Sequence, residues 1–97
     1  MNPLLPDDIV AASPRVASTR LGDEAALLSL DRGFYYGLNE TGARIWELLR
    51  EPIRVRSVEE TIAAEYDVEG ATAAEEVAQL LDSLREQGLI EVREGAH

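Results

Sequence analysis

The chain has 97 residues, nine basic and 19 acidic, for a formal net charge of −10, with 45% apolar and 29% charged residues and no Cys. That composition belongs to a folded globular protein rather than a disordered one. A chain this short buries only about 60 to 68% of its unfolded surface, which leaves room for one modest core and argues against a large internal active-site cavity. Without Cys there are no disulfides, thiolate metal sites or Cys nucleophiles, and because every basic residue is Arg there is no Lys for a Schiff base or a Gly-x-x-x-x-Gly-Lys phosphate loop.

In chain order, residues 1–14 carry Pro3, Pro6 and Pro14 around Asp7 and Asp8, a composition that predicts a flexible, extended arm. Arg15 to Leu21 has strand character, Gly22-Asp23 is a turn signal, and Glu24 to Leu30 is apolar on both faces, as a central strand would be. Asp31-Arg32-Gly33 turns the chain into a third strand, Phe34 to Leu38, which the meander leaves at a sheet edge. Alternation puts Phe34, Tyr36 and Leu38 on one face and Tyr35 and Gly37 on the other. Asn39 is a good N-cap, and Ile45, Leu48 and Leu49 recur at helical spacing beside the single Trp, so a first helix runs from Asn39 to about Arg50, where Glu51-Pro52 stops it.

Ser57-Val58-Glu59-Glu60 reads as a capping box opening a second helix with Val58, Ile62 and Tyr66 as its apolar stripe. Asp67 to Gly70 ends that helix, and Thr72-Ala73-Ala74-Glu75 is a second capping box. It opens a third helix reaching about Gln87, with Val77, Leu80, Leu81 and Leu84 on one face and Gly88 as its C-cap. Leu89 to Val92 is expected to pack under the helices and residues 93–97 to fray. The expected fold is α+β and winged helix-turn-helix-like, a three-stranded antiparallel sheet followed by three helices, with residues 15–92 as the domain.

The chemistry points away from catalysis. The one His is the last residue, and neighbouring pairs such as Glu59-Glu60 and Glu75-Glu76 diverge by about 100° on a helix, so they do not converge on one substrate atom. No calcium-loop pattern is present, and no metal or cofactor is expected. No apolar run is long enough for a membrane span and there is no signal-peptide pattern, so the expected compartment is the cytoplasm and no membrane partner is expected. An open edge at Phe34 to Leu38, bare of charge and proline, is a place where an extended peptide could add as a strand. If the third helix lies alongside it, some of Val77, Leu80, Leu81 and Leu84 would floor a groove.

Tyr36-Gly37-Leu38-Asn39-Glu40-Thr41-Gly42-Ala43-Arg44-Ile45-Trp46 resembles the Y-x-L-N-x-T-G-x-x-I-W signature of PqqD-like proteins. These are recognition elements for the precursors of ribosomally synthesised, post-translationally modified peptides. The preceding Asp31 to Tyr36 is most similar to the standalone member found in lasso-peptide biosynthesis, and weaker helical similarity extends over residues 15–92. The resemblance implies a non-catalytic protein that captures a precursor's leader segment as an antiparallel strand beside the third strand, in a cleft closed by the third helix. The residues it implies for that contact are Phe34, Tyr35, Tyr36, Gly37 and Leu38 of the strand, with Glu76, Val77, Leu80, Ser83 and Leu84 of the helix. It further implies a leader peptidase as partner and delivery to a macrolactam-forming cyclase.

Two other readings remain open. A winged-helix DNA-binding regulator would read DNA with the third helix, where Glu75, Glu76, Asp82 and Glu86 oppose Arg85 alone, the wrong charge for phosphates, so no nucleic-acid partner is expected. A chaperone for the quinone-cofactor precursor peptide would share fold and mode and differ in its client.

Overall fold

A computed structural model describes residues 3–94. The elements are β1 (Ile9–Ala12), β2 (Val16–Leu21), β3 (Glu24–Ser29), β4 (Tyr35–Leu38), α1 (Glu40–Leu48), β5 (Ile53–Arg54), α2 (Val55–Tyr66), α3 (Gly70–Glu86) and β6 (Ile90–Arg93). The expected α+β layout is present: β2, β3 and β4 form an antiparallel sheet in that order, followed by three helices. Alternation along β3 buries Ala25, Leu27 and Ser29, and Ala26 and Leu28 are half-buried on the other face. Gly33, at φ +69, turns the chain into β4. The turn is closed by its N–H donating to the Ser29 carbonyl at 2.8 Å and by the Ser29 hydroxyl accepting from the Arg32 N–H at 3.2 Å.

β4 passes into α1 through one residue. Asn39 is still extended, and its side chain accepts from the Gly42 N–H at 2.8 Å, satisfying one of the donors that a helix start leaves unpaired. Ala43, Ile45 and Trp46 of α1, with Leu49 behind them, then pack into a core shared with Leu27 of β3, Val58 and Ile62 of α2, and Val77, Leu81 and Leu84 of α3.

The N-terminal segment differs from its expectation. Residues 9–12, within the expected flexible arm, are the middle strand of a second sheet ordered β5-β1-β6, in which Ile9 faces both Arg54 and Arg93, and residues 1–2 of that expectation lie outside the described residues. Val10 is fully buried, and the Ala12 and Ser13 N–H groups donate to the carbonyls of Leu49 and Leu89 at 2.7 and 3.0 Å. The C-terminal tail packs into the helical core through Leu89 and Ile90, as expected, and beyond that expectation forms β6, paired along the whole of β1. Arg93, expected to fray, belongs to that ladder, and residues 95–97 of the same expectation lie outside the described residues.

Neither expected capping box is the start of its helix, and for the first of them the same segment explains why. α2 begins at Val55, ahead of Ser57, because the carbonyls of Asp8 and Pro6 accept from the Val55 and Arg56 N–H groups at 3.0 and 2.9 Å. Backbone carbonyls just ahead of β1 thus do what a Ser cap would do. α3 likewise starts at Gly70, ahead of Thr72, without a side-chain cap. Between them Asp67 adopts the left-handed conformation at φ 50, closing α2 and setting up the tight helix-turn-helix connection. At the other end of α3, Gly88 at φ +72 lets the Leu89 N–H reach back to the Leu84 carbonyl at 2.9 Å, in the expected C-cap.

On the surface Arg44 of α1 grips Glu65 of α2 with two bonds of 2.7 Å and also reaches Glu47 at 3.1 Å. The Glu65 bond raises the Arg44 pKa further, and it holds the Glu65 carboxyl below its ordinary 4.5. A lowered folded-state pKa means that the pair's contribution is complete above about pH 4.5 and is lost as pH falls through the lowered value. The side chains are more than a third exposed, so the contribution is that of a surface pair, up to about 1 kcal/mol. Urea denaturation of the protein and of Glu65→Gln should differ by that amount at neutral pH and converge at strongly acid pH. A second expectation tests the middle strand: Val10→Ala should lower the unfolding free energy by roughly 2 to 3 kcal/mol through lost burial and a residual cavity. A loose arm would leave the melting temperature unchanged.

Candidate functional site

The Ser29 N–H donates to the Phe34 carbonyl at 3.0 Å, and this bond lies in register with the pairs Leu27–Tyr36 and Ala25–Leu38. Bonded and non-bonded pairs alternate along an antiparallel ladder. Phe34, Tyr36 and Leu38 therefore direct their peptide groups at β3, and Tyr35 and Gly37 direct theirs away from it. The companion bond from the Leu30 N–H to the Arg15 carbonyl agrees, since it sends the alternate set of β3 groups to β2. No described strand takes up the outward N–H and C=O groups of Tyr35 and Gly37.

Beyond that edge lies a cleft of about 460 Å³. One wall is β4 itself, through Tyr36, Gly37 and Leu38. The start of α1 continues this wall with Asn39, Thr41, Gly42 and Ile45. The opposite wall is α3, through Glu76, Gln79, Leu80 and Ser83. The two walls are tied by a bond of 2.6 Å between the Tyr36 and Ser83 hydroxyls. A side chain at Gly37 would meet no atom within 4 Å, on the far face that it shares with Tyr35.

The expected contact residues separate accordingly. Tyr36, Gly37, Leu38, Glu76, Leu80 and Ser83 come together in the cleft. Val77 and Leu84 do not: both are fully buried on the core side of α3, and of the four-residue apolar stripe only Leu80 turns toward the cleft. Phe34 packs against the core, half-buried, while the Tyr35 side chain is 74% exposed on the far face of the sheet. Tyr35 can contribute to the cleft's edge only through its peptide group. The cleft also includes Asn39, Thr41, Gly42, Ile45 and Gln79, which were not among the expected contacts. All but Gln79 lie within the Tyr36 to Trp46 motif, so their signal was present in the strand-to-helix junction. Among the described residues no group of three or more His, Cys, Asp or Glu is placed to hold a metal ion, and no helix is long and apolar enough to cross a membrane.

Comparison with known proteins places this geometry. The family model for PqqD, coenzyme PQQ synthesis protein D, matches residues 24–90, a span that contains β4, α1 and α3 and hence both walls of the cleft. One solved structure, TbiB1 in complex with the TbiA(beta) leader peptide, is similar with a TM-score of 0.77 and 37% identity, covering 84% of this chain and 94% of that one. Another, a lasso peptide synthetase B1 complexed with the leader peptide, has a TM-score of 0.74 and 28% identity, covering 84% of this chain and 96% of that one. No curated protein sequence matches. With its family match spanning most of the sequence and both cleft walls, the chain belongs to the PqqD family.

Proposed function

We propose that this chain is a non-catalytic leader-recognition protein: it captures the leader segment of a ribosomally made precursor, of the lasso-peptide class, as an added strand on β4. The observation that carries the reading is the unpaired edge at Tyr35 and Gly37, opening into a cleft whose far wall is α3. Main-chain bonds along such an edge supply affinity for any extended segment, and the side chains of the facing wall supply selectivity. Two similar structures, each a complex with a leader peptide, support leader capture. The client is assigned to the lasso class rather than to the quinone-cofactor precursor because one of those complexes is a lasso peptide synthetase component matched over 84% of this chain. In this reading the protein acts in the cytoplasm and holds the leader for a leader peptidase, after which a macrolactam-forming cyclase receives the core peptide. Its contribution to the reaction is a raised local substrate concentration.

Proline substitution tests the strand addition, because proline removes the N–H it replaces. Tyr36→Pro should break the β3–β4 ladder and destabilise the domain. Tyr35→Pro should remain folded, since its N–H faces outward. Compared with Tyr35→Ala, it should bind the leader of its own precursor, or the TbiA(beta) leader as surrogate, more weakly by about 0.5 to 1.5 kcal/mol. Fluorescence anisotropy with labelled leader measures this. Equal affinity of the folded proline and alanine variants would remove β4 as the pairing strand.

A further inference from the structure

The cleft also carries a charge, at Glu76. A strand added to β4 forms its bonded pairs with Tyr35 and Gly37, so its residues opposite Tyr36 and Leu38 point their side chains the same way as those two, into the cleft and toward α3. Cleft-facing side chains are therefore two residues apart in the peptide, roughly 6.6 to 6.8 Å. On the facing wall Leu80 and Glu76 are one helical turn apart, about 6 Å of rise. The two spacings match, which allows one cleft-facing side chain of the peptide to meet Leu80 and the next to meet Glu76.

Those two positions differ in chemistry. Leu80 lies with Leu38 and Ile45 in an apolar stretch of the lining. Glu76 is the one ionisable side chain on the α3 wall, is exposed, and forms no ion pair among the described residues. Of the other two α3 positions, Ser83 is already held by Tyr36 and Gln79 is uncharged. A carboxylate entering beside Glu76 would be repelled by it and by a chain of net charge −10, whereas an ammonium or guanidinium would make a charge-assisted bond.

We infer that Glu76 is a specificity-determining residue, and that the segment accepted by the cleft is a basic peptide motif with a Lys or Arg two residues from an apolar side chain. This rests on the strand-addition reading above and adds to it the chemistry of the occupant.

The test is selection from a library of random dodecapeptides displayed on phage, carried out with the protein, Glu76→Gln and Glu76→Arg in parallel. The protein should enrich peptides with Lys or Arg at one position and an apolar residue two away. Synthetic versions of the winners should bind Glu76→Gln about two- to fivefold more weakly at low salt, a difference that shrinks as salt is raised. Glu76→Arg should shift the enriched residue at that position to Asp or Glu. Enrichment of the same peptides by all three proteins would overturn the role of Glu76 while leaving peptide capture intact. No enrichment by any of them, with the fold verified by circular dichroism, would overturn peptide capture and this inference together.

Discussion

The structure depends on one asymmetry: β4 has its ladder satisfied on one side and open on the other. Tyr36 and Leu38 bond inward to β3, so the strand is held in register, while Tyr35 and Gly37 hold their peptide groups out to the cleft. Two further contacts keep the edge usable. The Asn39 cap turns the chain into α1 after a four-residue strand, which keeps the edge short, and the Tyr36–Ser83 bond holds α3 beside it. Long open edges are aggregation hazards, and a short edge facing a helix across a narrow space is shielded from a second sheet while remaining accessible to a single chain.

The second sheet gives this arrangement its support. β1 bonds to β5 and β6, and Ala12 together with the flanking residues Ser13, Asp8 and Pro6 satisfies backbone groups at Leu49, Leu89, Val55 and Arg56. Segments from both ends of the described chain and from its middle are therefore joined at the base of the helices. α2 and α3 are tied to this base as well as packed on each other, so residues remote in sequence help to hold the far wall of the cleft.

The first sheet, the strand-to-helix junction and the Gly88 cap were legible because each is local: alternation over a few residues, a turn glycine, an Asn before a helical period. The second sheet was not legible. Ile9–Ala12 is four residues between proline-containing stretches, with no hairpin turn to announce it, and its partners at Ile53–Arg54 and Ile90–Arg93 are distant in sequence. Periodicity likewise shows which face of α3 is apolar but not what covers each residue. Val77, Leu81 and Leu84 meet the core whereas Leu80, on the margin of the same stripe, meets the cleft. The cleft's β4 and α1 wall was contained in the motif from Tyr36 to Trp46, yet the contribution of Asn39, Thr41, Gly42 and Ile45 became visible only once α1 was seen to continue the line of β4.

Amide hydrogen exchange read by NMR, with and without leader peptide, addresses the added strand most directly. The Tyr36 and Leu38 N–H groups, bonded to β3, should exchange slowly in both states, and those of Tyr35 and Gly37 should exchange fast in the free protein and become protected when the peptide binds. Peptide binding that leaves the Tyr35 and Gly37 amides exchanging as fast as before would contradict strand addition at β4.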